Sequence, residues 1–271
     1  MKSICPKLTP QQKMTQKHDD GLYDYVKDSS NSPLVNEMRI SQVKLHNHIE
    51  IYIKNPLPKE FALEKVLQKV EHTIPASLMQ DIDAIIVGDF QMLKSRDLDA
   101  TYEDGAIYLT NEQKGEDDMY DDIVHEVAHA VEKNYGMDIY ADGQLETEFI
   151  NKRRMLYSTL NAHGYYGLSM LDYINPDYDK KFDKFLYKDV GYDKLRHLTM
   201  GLFLSPYAAT SLSEYWANGF EALITGEVAP DYIKQTCPRL HSKLMELIQS
   251  GQFQPGDEMD EQEEGWINDG Y

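Results

Sequence analysis

Apolar and polar residues alternate with a period of two over residues 43–53. Val43, Leu45, Ile49, Ile51 and Ile53 would share one face of a strand, with Lys44, His46, His48, Glu50 and Lys54 on the other. The period then changes. Phe61, Leu63, Val66, Leu67 and Val70 recur at helical spacing, and Pro75 ends that helix. Residues 83–88, with the apolar run Ala84-Ile85-Ile86-Val87, are predicted to form a buried strand. A second strand is predicted at 105–110, entered through the turn signal Glu103-Asp104-Gly105.

A longer helical pattern covers residues 117–133, with apolar Ile123, Val124, Val127, Ala128 and Val131. It suits a helix packed into a core. Within it stands His125-Glu126-Val127-Ala128-His129, an HExxH pentad. Residues four apart on a helix share a face, so the two imidazoles sit side by side with a carboxylate next to them. Polar groups inside such a helix need partners. Zinc takes neutral imidazole nitrogens and, in catalytic sites, keeps one position open. Glu126 is placed to take a proton from a water that the metal activates.

The residues after the pentad narrow the class. A metzincin would need Gly and His where this chain has Glu132 and Tyr135. The remaining source of a third ligand is a carboxylate on a later helix, and the best candidate segment is 205–221. The pentad, together with Tyr-x6-Glu-(aromatic)2-Ala-x-x-Phe in that segment, resembles the catalytic domain of anthrax lethal factor and the related Pro-Pro endopeptidases. The resemblance spans residues 75–250, and the two motifs carry nearly all of it. It implies an α+β, zincin-like metallopeptidase of the gluzincin type, with Glu214 as third zinc ligand and Tyr207 stabilising the transition state. The fold expected is a small mixed sheet with an edge strand above the HExxH helix, and a second helix bearing the ligand.

The chain departs from that group at two places. Asn218 stands where lethal factor has an acidic residue; an Asn can still hydrogen-bond a ligating His. Residues 137–200 read as an insertion, on the substrate side or as a lid. Competing assignments also stand. Ser211-x-x-Glu214 also reads as a capping box. Glu146, Glu148 and Glu221 are rival ligands, the first two on a charged helix at 144–160 read as exposed. Tyr207 could be an ordinary packed tyrosine.

The implied chemistry is peptide hydrolysis. Glu126 acts as general base and returns the proton to the leaving amine, and Tyr207 donates to the oxyanion. In this class the strand before the zinc helix is a sheet edge that binds a protein or peptide substrate as an added strand. An ordinary internal strand at 105–110 is the alternative. A reading of a different class is a latent or non-catalytic structural protein with a peptidase fold, such as a component of a larger, even viral, particle.

Composition restricts the partners. The 271 residues are 41% hydrophobic, enough for a sizeable core, and carry a formal net charge of −19. Such a charge argues against nucleic-acid binding. No apolar run is long enough to span a membrane. Residues 1–16 contain no apolar stretch of the signal-peptide kind, and Cys5 and Cys237 are too few for a disulfide framework. A cytoplasmic or virion-associated protein is expected. His46 and His48 lack a nearby third ligand and do not make a second metal site. Residues 1–36 read as a polar extension, and 251–271 as an acidic tail. Trp266 and Ile267 in that tail suggest docking on a partner or over the catalytic cleft; a mobile tail is the alternative.

Overall fold

The computed structural model describes residues 39–40 and 44–248. The expected N-terminal extension and acidic tail lie outside them, as do Val43 and Cys5. The described chain separates into two compact units.

The first unit combines the chain up to Glu60 with Ile82–Gln113. It holds a mixed five-stranded sheet: β1 (Arg39–Ile40), β2 (Glu50–Ile53), β3 (Ala84–Gly88), β4 (Ala100–Glu103) and β5 (Ala106–Thr110), in the order β1-β2-β3-β5-β4. The three central strands are parallel, with Ile51 opposite Ile85 and Ile85 opposite Ile107. The outer two are antiparallel to their neighbours. All five residues of β3 are buried, which explains a run without alternation. Helix α2 (Gln91–Arg96) follows β3. Its Leu93, with Phe90, joins Ala84, Ile86, Ala106 and Tyr108 in one apolar cluster.

Two expectations change here. The predicted strand at 43–53 is broken by a tight turn. His46 and Asn47 take φ of 49° and 63°, and Leu45 and Ile49 exchange backbone hydrogen bonds of 3.1 and 3.0 Å. Leu45, Ile49 and Ile51 are still buried together, so the apolar face survives without a continuous strand. The strand preceding the pentad helix, β5, is not a sheet edge but lies between β3 and β4. The cause is local. Asp104 and Gly105 have φ of 48° and 83°, the two successive positive values of a type I′ turn, which fold residues 100–103 back onto β5.

The second unit combines Phe61–Asp81 with the chain from Lys114. Helix α1 (Leu63–Thr73) buries Val66, Leu67 and Val70, as its periodicity predicts. It is joined to the 25-residue helix α3 (Glu116–Tyr140) by Lys69, which reaches Asp117 at 2.8 Å and lies over the Tyr120 ring. Glu116, Asp117 and Asp118 place negative charge on the first turn of α3, where the helix dipole favours it. Helix α4 (Gln144–Ala162) is not the exposed helix expected. Leu145, Phe149, Leu156 and Leu160 are buried. So are Lys152 and Arg153, whose charges are met by backbone carbonyls: Lys152 Nζ donates to Leu202 and Thr236, and Arg153 to Thr210 and Asp172. Thus α3 and α4 extend through the segment read as an insertion. What remains of it is α5 (Met170–Tyr173), α6 (Lys180–Lys184), a π-turn at Phe185–Val190 and α7 (Tyr192–Leu198).

Helix α8 (Leu212–Thr225) lies directly against α3, with Trp216 Nε1 donating to the Ala128 carbonyl at 3.0 Å. Helices α9 (Pro230–Thr236) and α10 (Pro238–Leu247) close the unit. Gly219 of α8 meets Leu240 of α10 with no room for a side chain: a Cβ there would stand 2.7 Å from Leu240 Cγ. No helix among the described residues is long and apolar enough to cross a membrane.

Candidate metal centre

The pentad sits on the central turns of α3. Ile123, Val124, Val127 and Ala128 anchor that helix in the core, and His125 and His129 point from its partly buried side toward α8. Their rings stand edge to face, 5.1 Å apart.

Glu214 comes from the first turn of α8. Ser211 is the N-cap, its hydroxyl accepting from the Glu214 amide at 3.1 Å. Only that half of the expected capping box governs Glu214. Its carboxylate faces α3, with Oε2 3.1 Å from His125 Nε2 and Oε1 3.8 Å from His129 Nε2. A helix start therefore both fixes the backbone of Glu214 and leaves its side chain directed at the imidazoles. One ligand atom from each of His125, His129 and Glu214 lies within 4.8 Å of the others. Two imidazole nitrogens and a carboxylate oxygen are a zinc donor set. Among the described residues this is the group able to hold a metal ion.

Tyr207, in a 3₁₀ turn at Tyr207–Ala209, donates its hydroxyl to Glu214 Oε1 at 3.4 Å. Burial, and then the Glu214 charge, pushes the phenol well above its usual pKa, so it stays protonated and able to donate. Glu126 is buried at 8% exposure, and its charge acts on His129.

The outer nitrogens of the imidazoles are held by residues assigned differently from the sequence. His125 Nδ1 lies 2.8 Å from Glu221 Oε2. Glu221, a rival ligand on the sequence, is thus the partner behind a candidate ligand. His129 Nδ1 lies 3.4 Å from Glu132 and 3.2 Å from the Ser213 hydroxyl. Ser213 also donates to Glu132, and the Tyr140 hydroxyl donates to it at 2.6 Å. Asn218 does not take the expected place beside a ligating His. Its amide donates to the Glu214 carbonyl at 3.0 Å and its oxygen accepts from Ser205, so it steadies the ligand's backbone and the approach to Tyr207. One turn beyond Glu214 it faces that helix and loop; Glu221, two turns beyond, reaches His125.

Glu146 is exposed, and Glu148 is committed elsewhere, accepting from the Tyr215 hydroxyl and the Arg239 and Leu240 amides. Neither is a ligand. Glu132 could have been found from sequence, being three residues after His129 on the same helix face. Ser213 and Tyr140 had no such signal.

No family model, curated protein or solved structure matches the chain.

The electrostatics are those of a cation site lined by carboxylates. Burial alone would lower the His125 pKa, but hydrogen bonds to Glu214 and Glu221 outweigh it and push it up to about 10. Burial likewise raises Glu132, and is outweighed by His129, Ser213 and Tyr140, which hold it below the usual carboxylate value. Both imidazoles thus face strong negative potential, which a divalent cation would share.

Proposed function

We propose that the protein is a zinc-dependent endopeptidase of the lethal-factor-like gluzincin type. The observation that carries the reading is the convergence of the Glu214 carboxylate on both pentad imidazoles, with the Tyr207 hydroxyl on the same carboxylate. His125, His129 and Glu214 would hold the metal. When bound, it would polarise the scissile carbonyl and acidify an attacking water. Glu126 takes that water's proton and delivers it to the leaving amine. Tyr207 donates a hydrogen bond to the carbonyl oxygen as negative charge develops there. Glu221 and the Glu132–Ser213 pair orient the two imidazoles, leaving the inner nitrogens free for the metal.

A latent or structural role is the second reading. It is favoured by one observation: both nitrogens of His125 already meet carboxylates, a network that satisfies itself by hydrogen bonding.

The deciding experiment is metal content by mass spectrometry on wild type and Glu214→Ala, with peptide-library cleavage alongside. One zinc per chain, loosened in the variant, with chelator-sensitive cleavage, is the expected result. Zinc without cleavage supports the latent reading. No zinc under metal-replete conditions ends the catalytic one.

A further inference from the structure

Arg153, on α4, is fully buried, with its guanidinium 3.7 Å from the Phe182 ring and 5.3 Å from that of Phe149. Its two hydrogen bonds go to backbone carbonyls, and among the described residues no carboxylate pairs with it. Its Nε is buried without a partner among them. Burial pulls its pKa down to about 10. A buried cation lacking an ion-pair partner costs folding free energy, and an apolar side chain of similar volume would fill the space at less cost. Such a residue points to a function beyond packing.

Its hydrogen bonds lead toward Tyr207. Nη1 donates to the Thr210 carbonyl at 3.2 Å, and Nη2 donates to the Asp172 carbonyl at 2.8 Å. Thr210 closes the 3₁₀ turn that carries Tyr207. Its amide donates to the Tyr207 carbonyl at 2.9 Å, and its hydroxyl donates to the same oxygen at 2.8 Å. The Tyr207 hydroxyl in turn reaches Glu214. Arg153, Thr210 and Tyr207 thus form one line of contacts from the core of α4 to the candidate metal centre.

Glu214 does not depend on that line. Its helix is capped by Ser211 and pinned to α3 by Trp216. Tyr207 lies outside the helix, on a turn of three residues. A turn that short holds its side chain only as firmly as its ends are held. The planar guanidinium, close to the Phe182 ring, ties the Thr210 end to Asp172 through charge-assisted hydrogen bonds, which are stronger than neutral ones.

We propose that Arg153 is a positioning residue: by holding the Thr210 carbonyl it fixes the turn that aims the Tyr207 hydroxyl into the candidate metal centre. Its effect on rate rests on the peptidase reading; its effect on the tyrosine does not.

The test follows Tyr207 directly, by nuclear magnetic resonance of the full chain with its tyrosines isotope-labelled at Cζ. The Tyr207 resonance is identified by its loss in Tyr207→Phe. In Arg153→Lys that resonance shifts or broadens, with zinc chloride or without it, while those of Tyr52 and Tyr108 in the sheet unit stay in place. Thr210→Val, which removes one bond of the line and leaves Arg153 intact, moves it too. A Tyr207 resonance at its wild-type position in Arg153→Lys overturns the role; if that variant does not fold, Thr210→Val decides in the same way. Rates are measured separately, on zinc-loaded enzyme normalised to bound zinc, with a peptide taken from the cleaved library. Arg153→Lys lowers kcat about tenfold, a part of the roughly hundredfold loss that follows removal of an oxyanion donor, with KM and zinc affinity unchanged. In the Tyr207→Phe background it has no further effect on kcat. Losses that add in the double variant are those of general destabilisation and overturn the role. If the wild type cleaves no peptide, the peptidase reading fails alone, and the Tyr207 resonance still decides the positioning.

Discussion

Glu221 lies 2.8 Å from His125 Nδ1, seven residues beyond Glu214, which reaches Nε2 of the same ring. One helix thus holds both nitrogens of one imidazole. A carboxylate behind a metal-ligating histidine fixes its tautomer and ring orientation, and its removal costs about 10–100-fold in metal affinity. Glu221→Ala is therefore expected to weaken zinc binding by that factor with the stoichiometry intact, measured by competition with a chromophoric chelator. Asn218→Ala should have the smaller effect; the reverse order would refute the assignment.

On the other pentad imidazole, Glu132→Gln should act similarly but interact with its neighbours. Glu132 meets His129, Ser213 and Tyr140 at once. The effects of Glu132→Gln and Ser213→Ala on zinc affinity should not add, because they disturb one network. Additive losses in a double-mutant cycle would mean that the two act separately.

Asp121, one turn before His125, gives a pH signature of its own. Burial first, then the charges of Glu227 and Glu221, raises its pKa from 3.8 to about 6. The folded chain therefore holds this proton more tightly than the unfolded chain does. Ionised Asp121 destabilises the fold: stability falls as pH rises from about 4 through about 6. Asp121→Asn should raise the melting temperature at pH 8 and leave it unchanged near pH 4. Equal shifts at both values would exclude this account.

Gly219→Ala sets two effects against each other. Alanine favours the helix interior by about 1 kcal/mol, but its Cβ would press on Leu240 Cγ at 2.7 Å, and overpacking costs about 1–3 kcal/mol. Net destabilisation is expected, a fall of about 2–4 °C in melting temperature. Leu240→Ala should be less damaging in the Gly219→Ala background than alone.

Arg153→Lys tests the buried tie to the loop of Tyr207. A lysine lacks the planar fork that reaches both Thr210 and Asp172 and stacks on Phe182. A loss of about 2 kcal/mol by urea denaturation is expected, since one carbonyl is left unmet. No change in stability would show that the two carbonyls find water instead.

The grouping of the candidate metal ligands was legible because much of it is local. His125 and His129 share a face by helical spacing alone, and Ser211 marks the start of the helix that presents Glu214. The β5 run was readable from its apolar residues, whereas its neighbour β4, with only Ala100–Glu103, lacked any such signal and was missed despite the Asp104-Gly105 turn beside it. The 43–53 stretch misled because burial of alternate residues does not require a continuous strand. Helix α4 misled because its charges looked solvated, and only neighbouring carbonyls reveal that Lys152 and Arg153 are buried.

Residue spacing by itself determined the donor pair of His125 and His129 and the carboxylate beside it, since these depend on positions within one helix; the candidate third ligand came from the family resemblance, with rival glutamates left open. Tertiary structure alone decided which carboxylate meets which nitrogen. Glu214, Glu221 and Glu132 are chemically alike, and their roles separate only when α8 is laid against α3, because hydrogen bonds select by distance and direction rather than by residue type.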